Sequence, residues 1–198
     1  MGDHYYSSQP GAAHERRKLE TELRGRPFTF ISDAGVFSKT GIDYGSRVLI
    51  EALDIAADAR VLDVGCGYGP MGLSAAMLAP QGRVTMVDVN ERAVELAREN
   101  AKLNNIHNVD IRVSDLFEAV EGEKFTVVIT NPPIRAGKET VHLIFEKAAA
   151  HLEPGGSLWI VIQKKQGAPS AKAKLEQLFE QVEEVTKDKG YRIFKATK

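Results

Sequence analysis

The sequence predicts a single α/β domain organised on a mainly parallel sheet, and three observations carry that prediction. From Arg60 to the end of the chain, apolar runs of strand length alternate with segments of helical period, the rhythm of consecutive βαβ units. The run Val127-Val128-Ile129 is continuously β-branched, as in strands covered on both faces. No linker or break in composition interrupts the 198 residues, a length that one core can serve.

The elements follow in order. Residues 1 to about 26 are polar and sustain no period, so a flexible start is expected. Phe28-Thr29-Phe30-Ile31 reads as a short strand, and Ser32-Asp33-Ala34-Gly35 as a turn. From Ser46, the spacing of Val48, Leu49, Ala52 and Leu53 gives a helical face ending near Ile55. Strands are expected at 60–64, 83–87, 109–113, 126–130 and 157–162. Helices are expected at 70–78, 91–103, 138–151 and about 171–179, the third stopped by Glu153-Pro154-Gly155-Gly156. Segments 182–186 and 191–194 close the chain as an antiparallel hairpin around Asp188-Lys189-Gly190. Residues 1–45 are expected to form an N-terminal segment and cap, and 46–198 the main domain, within one structural unit.

Bulk properties bound the function. An apolar fraction of 43% and a charged fraction of 27% are those of a soluble globular protein. A net charge of −1 excludes a broad electrostatic grip on nucleic acid but permits a local basic face. No apolar run approaches the roughly 18 residues of a membrane span, and no secretory pattern opens the chain. The single Cys66 cannot form an internal disulfide, which fits a cytoplasmic location. The five histidines have no companion cysteines at metal spacing, so no metal is expected.

The fourth long strand runs into Asn131-Pro132-Pro133-Ile134, then Arg135-Ala136-Gly137-Lys138. Prolines fix an extended turn and bring no N–H. The turn therefore presents carbonyl oxygens and the Asn131 amide, acceptors set in place for a ligand bearing an N–H₂ group. An ordinary stiff corner is the alternative.

Asp63-Val64-Gly65-Cys66-Gly67-Tyr68-Gly69 puts an acid near a strand end and three glycines after it. Glycines admit a ligand close to the backbone, and the helix from Pro70 aims its N–H groups at the same space. Asp88 closes the next strand, followed by Val89 and Asn90, and an acid there can take both hydroxyls of a ribose. Ser114-Asp115-Leu116 ends the third, with Asp115 placed for an adenine amino group and Leu116 for its ring; turn capping is the other reading of Asp115. Gly67-Tyr68-Gly69-Pro70-Met71-Gly72 matches a dinucleotide fingerprint, but its first glycine comes late. An acid at 63 would repel a pyrophosphate and suit a cation, which favours S-adenosylmethionine over NAD. A purely structural glycine turn stays open, and Cys66 is better placed to face a cofactor than to act as a nucleophile.

Together, Asp63 to Gly69, Asp88, Asp115 and Asn131-Pro132-Pro133-Ile134 resemble class I S-adenosylmethionine-dependent methyltransferases. Gly35-Val36-Phe37-Ser38, Asp43-Tyr44-Gly45-Ser46 and Leu49 resemble the small-domain group of ribosomal RNA guanine-N2 methyltransferases, in a short single-domain form. The resemblance implies a Rossmann-like, seven-stranded, mostly parallel sheet with a C-terminal antiparallel hairpin. It implies that Gly65 and Gly67 pass under the methionine part, that Asp63 anchors its amino end, and that Asp88 and Asp115 take ribose and adenine. Phe37, Ser38 and Lys39 would form the lid. Asn131, Pro132, Pro133 and Ile134 would form the catalytic turn. S-adenosylhomocysteine would be the product, and ribosomal RNA or a ribosomal subunit the partner.

Two positions depart from that pattern. Ile134 stands where many such enzymes have an aromatic, so Phe30, Phe37, Tyr5 or Tyr6 would have to stack on the base. Arg135 replaces a frequent histidine and could hold a phosphate. Lys39, Arg135, Lys138, Lys164 and Lys165 lie at or beyond the strand ends, where they would make a phosphate-binding rim. Methylation of another planar nitrogen (adenine N6 or a glutamine amide) and an inactive RNA-binding protein of the same fold are the competing readings.

Overall fold

A computed structural model describes residues 7–198, so His4, Tyr5 and Tyr6 lie outside the described residues. Strands β1 (Arg17–Leu23) and β2 (Arg26–Ser32) form a two-stranded antiparallel sheet. The main sheet has seven strands in the order β5-β4-β3-β6-β7-β9-β8. Its members are β3 (Arg60–Val64), β4 (Arg83–Asp88), β5 (Val109–Val113), β6 (Phe125–Thr130), β7 (Leu152–Gln163), β8 (Gln181–Asp188) and β9 (Tyr191–Thr197). β3 to β7 run parallel, and β9 inserts antiparallel between β7 and β8. The expected seven-stranded sheet with its terminal hairpin is the one observed. Lys189 and Gly190 both have positive φ (48° and 83°), which matches the twist of a two-residue hairpin turn.

Consecutive strand residues fall on opposite faces and into two separate cores. Val61, Met86, Val127, Ile129 and Trp159 pack beneath α1 (Tyr44–Ala52), α2 (Pro70–Leu78) and α3 (Glu91–Leu103). Leu62, Val87, Val128, Leu158 and Ile160 pack beneath α4 (Lys138–His151) and α5 (Ala168–Leu178). The unbroken apolar runs are thus explained by cover on both faces. α3 has the bounds its sequence predicts, because Asn90 caps its start through Ala93 N–H and Lys102 sits in its last turn.

The structure departs from the expectation in three places. The segment expected to be irregular contains β1, whose Leu19, Thr21 and Leu23 are its more protected residues. β7 begins at Leu152 rather than 157, since Leu152 pairs with Phe125 and the Lys198 backbone bonds Gly155 and Gly156. Phe30 cannot stack on a substrate base. It is fully buried, its ring 5.5 Å from Phe28 and 5.9 Å from Tyr68, because positions 28 and 30 share the core-facing side of β2.

The β1–β2 hairpin docks through two asparagines one turn apart on α3. Asn100 Oδ1 accepts from Ile31 N–H (2.7 Å), and its Nδ2 donates to the Ile31 and Tyr68 carbonyls (3.0 and 2.8 Å). Asn104 repeats the exchange with Thr29 (3.0 and 2.7 Å). These amides stand in for a neighbouring strand along the free edge of β2. Asn100→Ala would orphan one buried backbone group, the Tyr68 carbonyl, and two part-buried ones on Ile31, at about 1–3 kcal/mol for a fully buried one. A loss of roughly 3 kcal/mol is expected, read as a lower urea midpoint at unchanged slope.

Candidate active site

The order of the main sheet reverses between β3 and β6, the place where open α/β sheets bind ligands beyond their strand ends. There the strands deliver Val64-Gly65, Asp88, Ser114-Asp115 and Asn131 to one cavity of about 770 Å³. The volume lies within the usual range for a small-molecule site.

The glycine loop is held from below. Gly65 and Cys66 N–H both donate to the Val87 carbonyl (2.9 and 3.0 Å). Gly67 N–H donates to Asp88 Oδ2 (2.8 Å), and Asn90 N–H to Asp88 Oδ1 (2.9 Å). Asp88 therefore clamps the loop while keeping lone pairs for a ligand. Burial raises its carboxyl above the ordinary range, partly offset by those two N–H donors. Gly65 and Gly67 have φ of 76° and 56°, and an added Cβ would meet nothing within 4 Å. Only the backbone conformation requires glycine there, and the free space is the cavity.

Asp63 is 1% exposed and opens onto a small recess of about 50 Å³, shared with Cys66, Tyr68, Phe37 and Asn131. Its Oδ2 has no hydrogen-bond partner among the described residues. Burial and then the charge of Asp88 push its carboxyl up to about 8, against one backbone N–H from Gly72. A buried, orphaned acceptor of this kind is costly unless a donor or cation arrives. Cys66 is buried, and burial pushes its thiol well up, which removes it as a nucleophile.

Loop 34–43 roofs the cavity. Asn90 Nδ2 donates to the Gly35 carbonyl, and the Tyr68 hydroxyl reaches up from the glycine loop to the Ser38 and Gly41 carbonyls, 3.1 Å each. Upstream, Asp33 accepts from His14 and from the Glu15 and Ala34 N–H groups. Burial raises its carboxyl, but these bonds outweigh it and hold the group below its ordinary value. Tyr68→Phe would free the roof. Cofactor affinity is expected to weaken about tenfold by calorimetry, with the fold intact.

At the asparagine-diproline turn, Asn131 Nδ2 donates to Asp43 Oδ2 and Ser46 Oγ, both at 3.0 Å. Both amide hydrogens are thereby used, which leaves Oδ1 as the acceptor, and Asn131 and Pro132 both line the cavity. Pro132 is buried, Ile134 half-buried and Arg135 exposed.

The predicted residues separate into groups. Phe37, Lys39, Gly65, Gly67, Asp88, Val89, Asn90, Ser114, Asp115, Leu116 and Asn131 to Arg135 line the large cavity. Asp63 and Cys66 line the recess. Gly69 lines neither: it starts α2, packed close to Leu73 and Met86. Ser114 ties its own turn, its hydroxyl donating to Leu116 carbonyl and accepting from Ala119 N–H. Lys39 lies 3.3 Å from Glu15. Lys138, Lys164 and Lys165 are exposed and do not line the cavity; Lys164 and Lys165 fall between the lining Gln163 and Gln166. Sequence reasoning missed Tyr191, Gln163 and Gln166, which also line the large cavity. Tyr191 packs edgewise against Tyr44 (5.7 Å) and over Gly45, where any Cβ would meet its ring at 2.8 Å. The signal available was Gly45 itself, a glycine inside a helical pattern.

The residues present fit an adenosyl sulfonium cofactor. The orphaned Asp63 oxygen suits its ammonium, the open glycine cradle its backbone contacts, and exposed Asp115 its adenine. Among the described residues no acid, histidine or cysteine cluster could hold a metal, and no helix is long and apolar enough to cross a membrane.

Known proteins match this arrangement. The methyltransferase small domain model matches residues 27–195. "Uncharacterized protein YbxB" of Bacillus subtilis (strain 168) is 54% identical over 100% of both chains. "Ribosomal RNA large subunit methyltransferase G" of Ectopseudomonas mendocina is 36% identical over 94% of this chain and 51% of its own. A T. thermophilus 16S rRNA N2 methyltransferase, solved with AdoMet and guanosine, superposes at TM-score 0.84 with 26% identity, over 96% of this chain and 52% of that one. The chain thus spans about half the length of these ribosomal RNA methyltransferases. With the matched region containing the glycine loop, both strand-end acids and the asparagine turn, the chain belongs to the methyltransferase small domain family.

Proposed function

We propose that this protein is an S-adenosylmethionine-dependent N-methyltransferase acting on the exocyclic N2 of a guanine in ribosomal RNA, in the cytoplasm. One observation carries the reading. Both N–H groups of Asn131 are occupied by Asp43 and Ser46, which leaves its amide oxygen as an acceptor at the cavity. An –NH₂ group needs two acceptors, to which we assign Asn131 Oδ1 and the Pro132 carbonyl, and similarity to ribosomal RNA methyltransferases supports the substrate class. When bound, the cofactor supplies an electrophilic methyl on a sulfonium.

The chain's residues do the rest by position. The guanine N2 lone pair is delocalised into the ring; accepting both N–H bonds at Asn131 Oδ1 and the Pro132 carbonyl directs it at the methyl carbon. Positioning of this kind supplies roughly 7–11 kcal/mol in favourable cases. Asp63 holds the cofactor's ammonium, Asp88 its ribose and Asp115 its adenine, while Phe37 and Lys39 close over them. Tyr191 and Phe37 take the stacking role that Ile134 cannot, a contribution of about 1–3 kcal/mol per base. Of the segment 1–45, the described residues 7–45 are assigned the role of cap on domain 46–198.

Product analysis after incubation with ribosomal RNA, DNA and release-factor protein tests the reading. N2-methylguanosine in the RNA is expected; a methylated glutamine or adenine with unmodified guanine would overturn it. Arg135, Lys164 and Lys165 are assigned to phosphates. Their triple alanine variant should weaken RNA binding and flatten the salt dependence by about two units of log–log slope, with kcat unchanged at saturating RNA.

A further inference from the structure

We propose that Asp43 and Ser46 form a positioning pair that orients and polarises Asn131 for the target amine. The proposal rests on the reading of this cavity as an amine-methylating site. Its geometry stands on two elements far apart in sequence. Asn131 follows β6, while Asp43 caps α1 and Ser46 lies in the first turn of that helix.

An amide nitrogen carries two hydrogens, and a carboxylate only accepts. With Asp43 Oδ2 and Ser46 Oγ each 3.0 Å from Nδ2, a flipped Asn131 would set its oxygen against the carboxylate. One amide orientation is therefore enforced. Asp43 is itself fixed: its Oδ2 also accepts the Ser46 N–H (2.9 Å), and its carbonyl accepts Arg47 N–H (3.0 Å). Its negative charge also raises the phenol groups of Tyr68 and Tyr191, after burial in each case, which places it at the meeting point of roof, turn and hairpin.

The charge matters as well as the shape. In the transfer an N–C bond forms as the C–S bond breaks, and positive charge passes from sulfur to the amine nitrogen until a proton leaves to water. A carboxylate bonded to the back of the Asn131 amide increases the electron density at Oδ1, which faces that nitrogen. It thus stabilises the later charge distribution more than the earlier one, which is what accelerates a step.

The competing role for Asp43 is a plain helix cap, and the variants separate the two. Asp43→Asn keeps a capping side chain and an acceptor but removes the charge. Ser46→Ala keeps the cap and removes one acceptor. Asp43→Ala/Ser46→Ala removes both partners of the amide. The first readout needs no substrate: solvent exchange of the Asn131 side-chain N–H₂ by NMR, its signal identified by loss in Asn131→Ala. Exchange at least about tenfold slower than for exposed asparagines is expected in the wild type, intermediate in Ser46→Ala, and fast in the double variant. The second is turnover on ribosomal RNA. Asp43→Asn should lower kcat about tenfold or more, with AdoMet affinity within about threefold and Tm within about 2 °C of wild type. Unchanged amide exchange in the double variant, or wild-type kcat in Asp43→Asn, would overturn the proposal. A wild-type protein that methylates no ribosomal RNA would instead remove the substrate reading, while the exchange rates would still decide the positioning pair.

Discussion

Asn131→Ala is expected to lower methyl transfer at least about 100-fold while AdoMet affinity falls less than about tenfold. Removing one preorganised hydrogen-bonding group from a catalytic site typically costs about 2.7–4 kcal/mol of barrier. Here the variant removes the acceptor that directs the amine, and it leaves Asp43 and Ser46 without their shared donor. On the proposed reading the cofactor is gripped elsewhere, by the glycine loop and by Asp63, Asp88 and Asp115, so its binding is largely spared. The expected signature is a fall in kcat measured in single turnover, with a calorimetric Kd close to wild type. Equal losses in both would mean that Asn131 serves cofactor binding instead.

Asp63→Asn is expected to weaken cofactor binding more than tenfold and, in the empty protein at pH 8, to leave Tm unchanged or raise it. The sign follows from the acid's position. Its folded value, about 8, lies above the ordinary carboxyl value of 3.8. The folded state therefore holds a proton that the unfolded chain has lost at intermediate pH. The stability tied to this group is fully present below about pH 4 and is lost as pH rises through 8. An ammonium requires the ionised form, so its binding should release a proton below pH 8 and strengthen as pH rises toward 8. Asparagine cannot ionise, and its affinity should be low and flat with pH. Calorimetry in buffers of different ionisation enthalpy checks the proton release. A stabilised but weakly binding variant would place the cost of this buried acid on the side of function.

The parts legible in the sequence are those where local preference and tertiary setting agree. The five parallel strands announce themselves by β-branched runs, and α3 by its cap and apolar spacing. β1 escaped notice because Arg17, Lys18, Glu20 and Glu22 dominate a segment whose inward residues are only Leu19, Thr21 and Leu23. Its stability comes from β2 and, through β2, from Asn100 and Asn104, contacts that no local pattern displays. The same holds at the site. The strand-end acids and the asparagine turn lie where the βα rhythm puts them, while Tyr191 and Gln163 reach the cavity only through the antiparallel pairing of β7 with β9. Phe30 shows the converse error, an aromatic assigned to substrate that its strand phase turns into the core.

The Asp43–Asn131 contact joins these two kinds of information. Each residue stands in a recognisable segment, yet their relation appears only once the start of α1 meets the turn after β6. In the function proposed, the strand ends divide the labour: β3 for charge, β4 for the loop and ribose, the turn after β5 for adenine, and the turn after β6 for the amine.

The most direct measurement compares methylated nucleosides in 16S and 23S ribosomal RNA from cells carrying the wild-type chain, no chain, or the Asn131→Ala variant. The account predicts one N2-methylguanosine present only with the wild-type protein and missing from the other two. An unchanged complement of N2-methylguanosine in cells lacking the protein, or full modification by the Asn131→Ala variant, would contradict it.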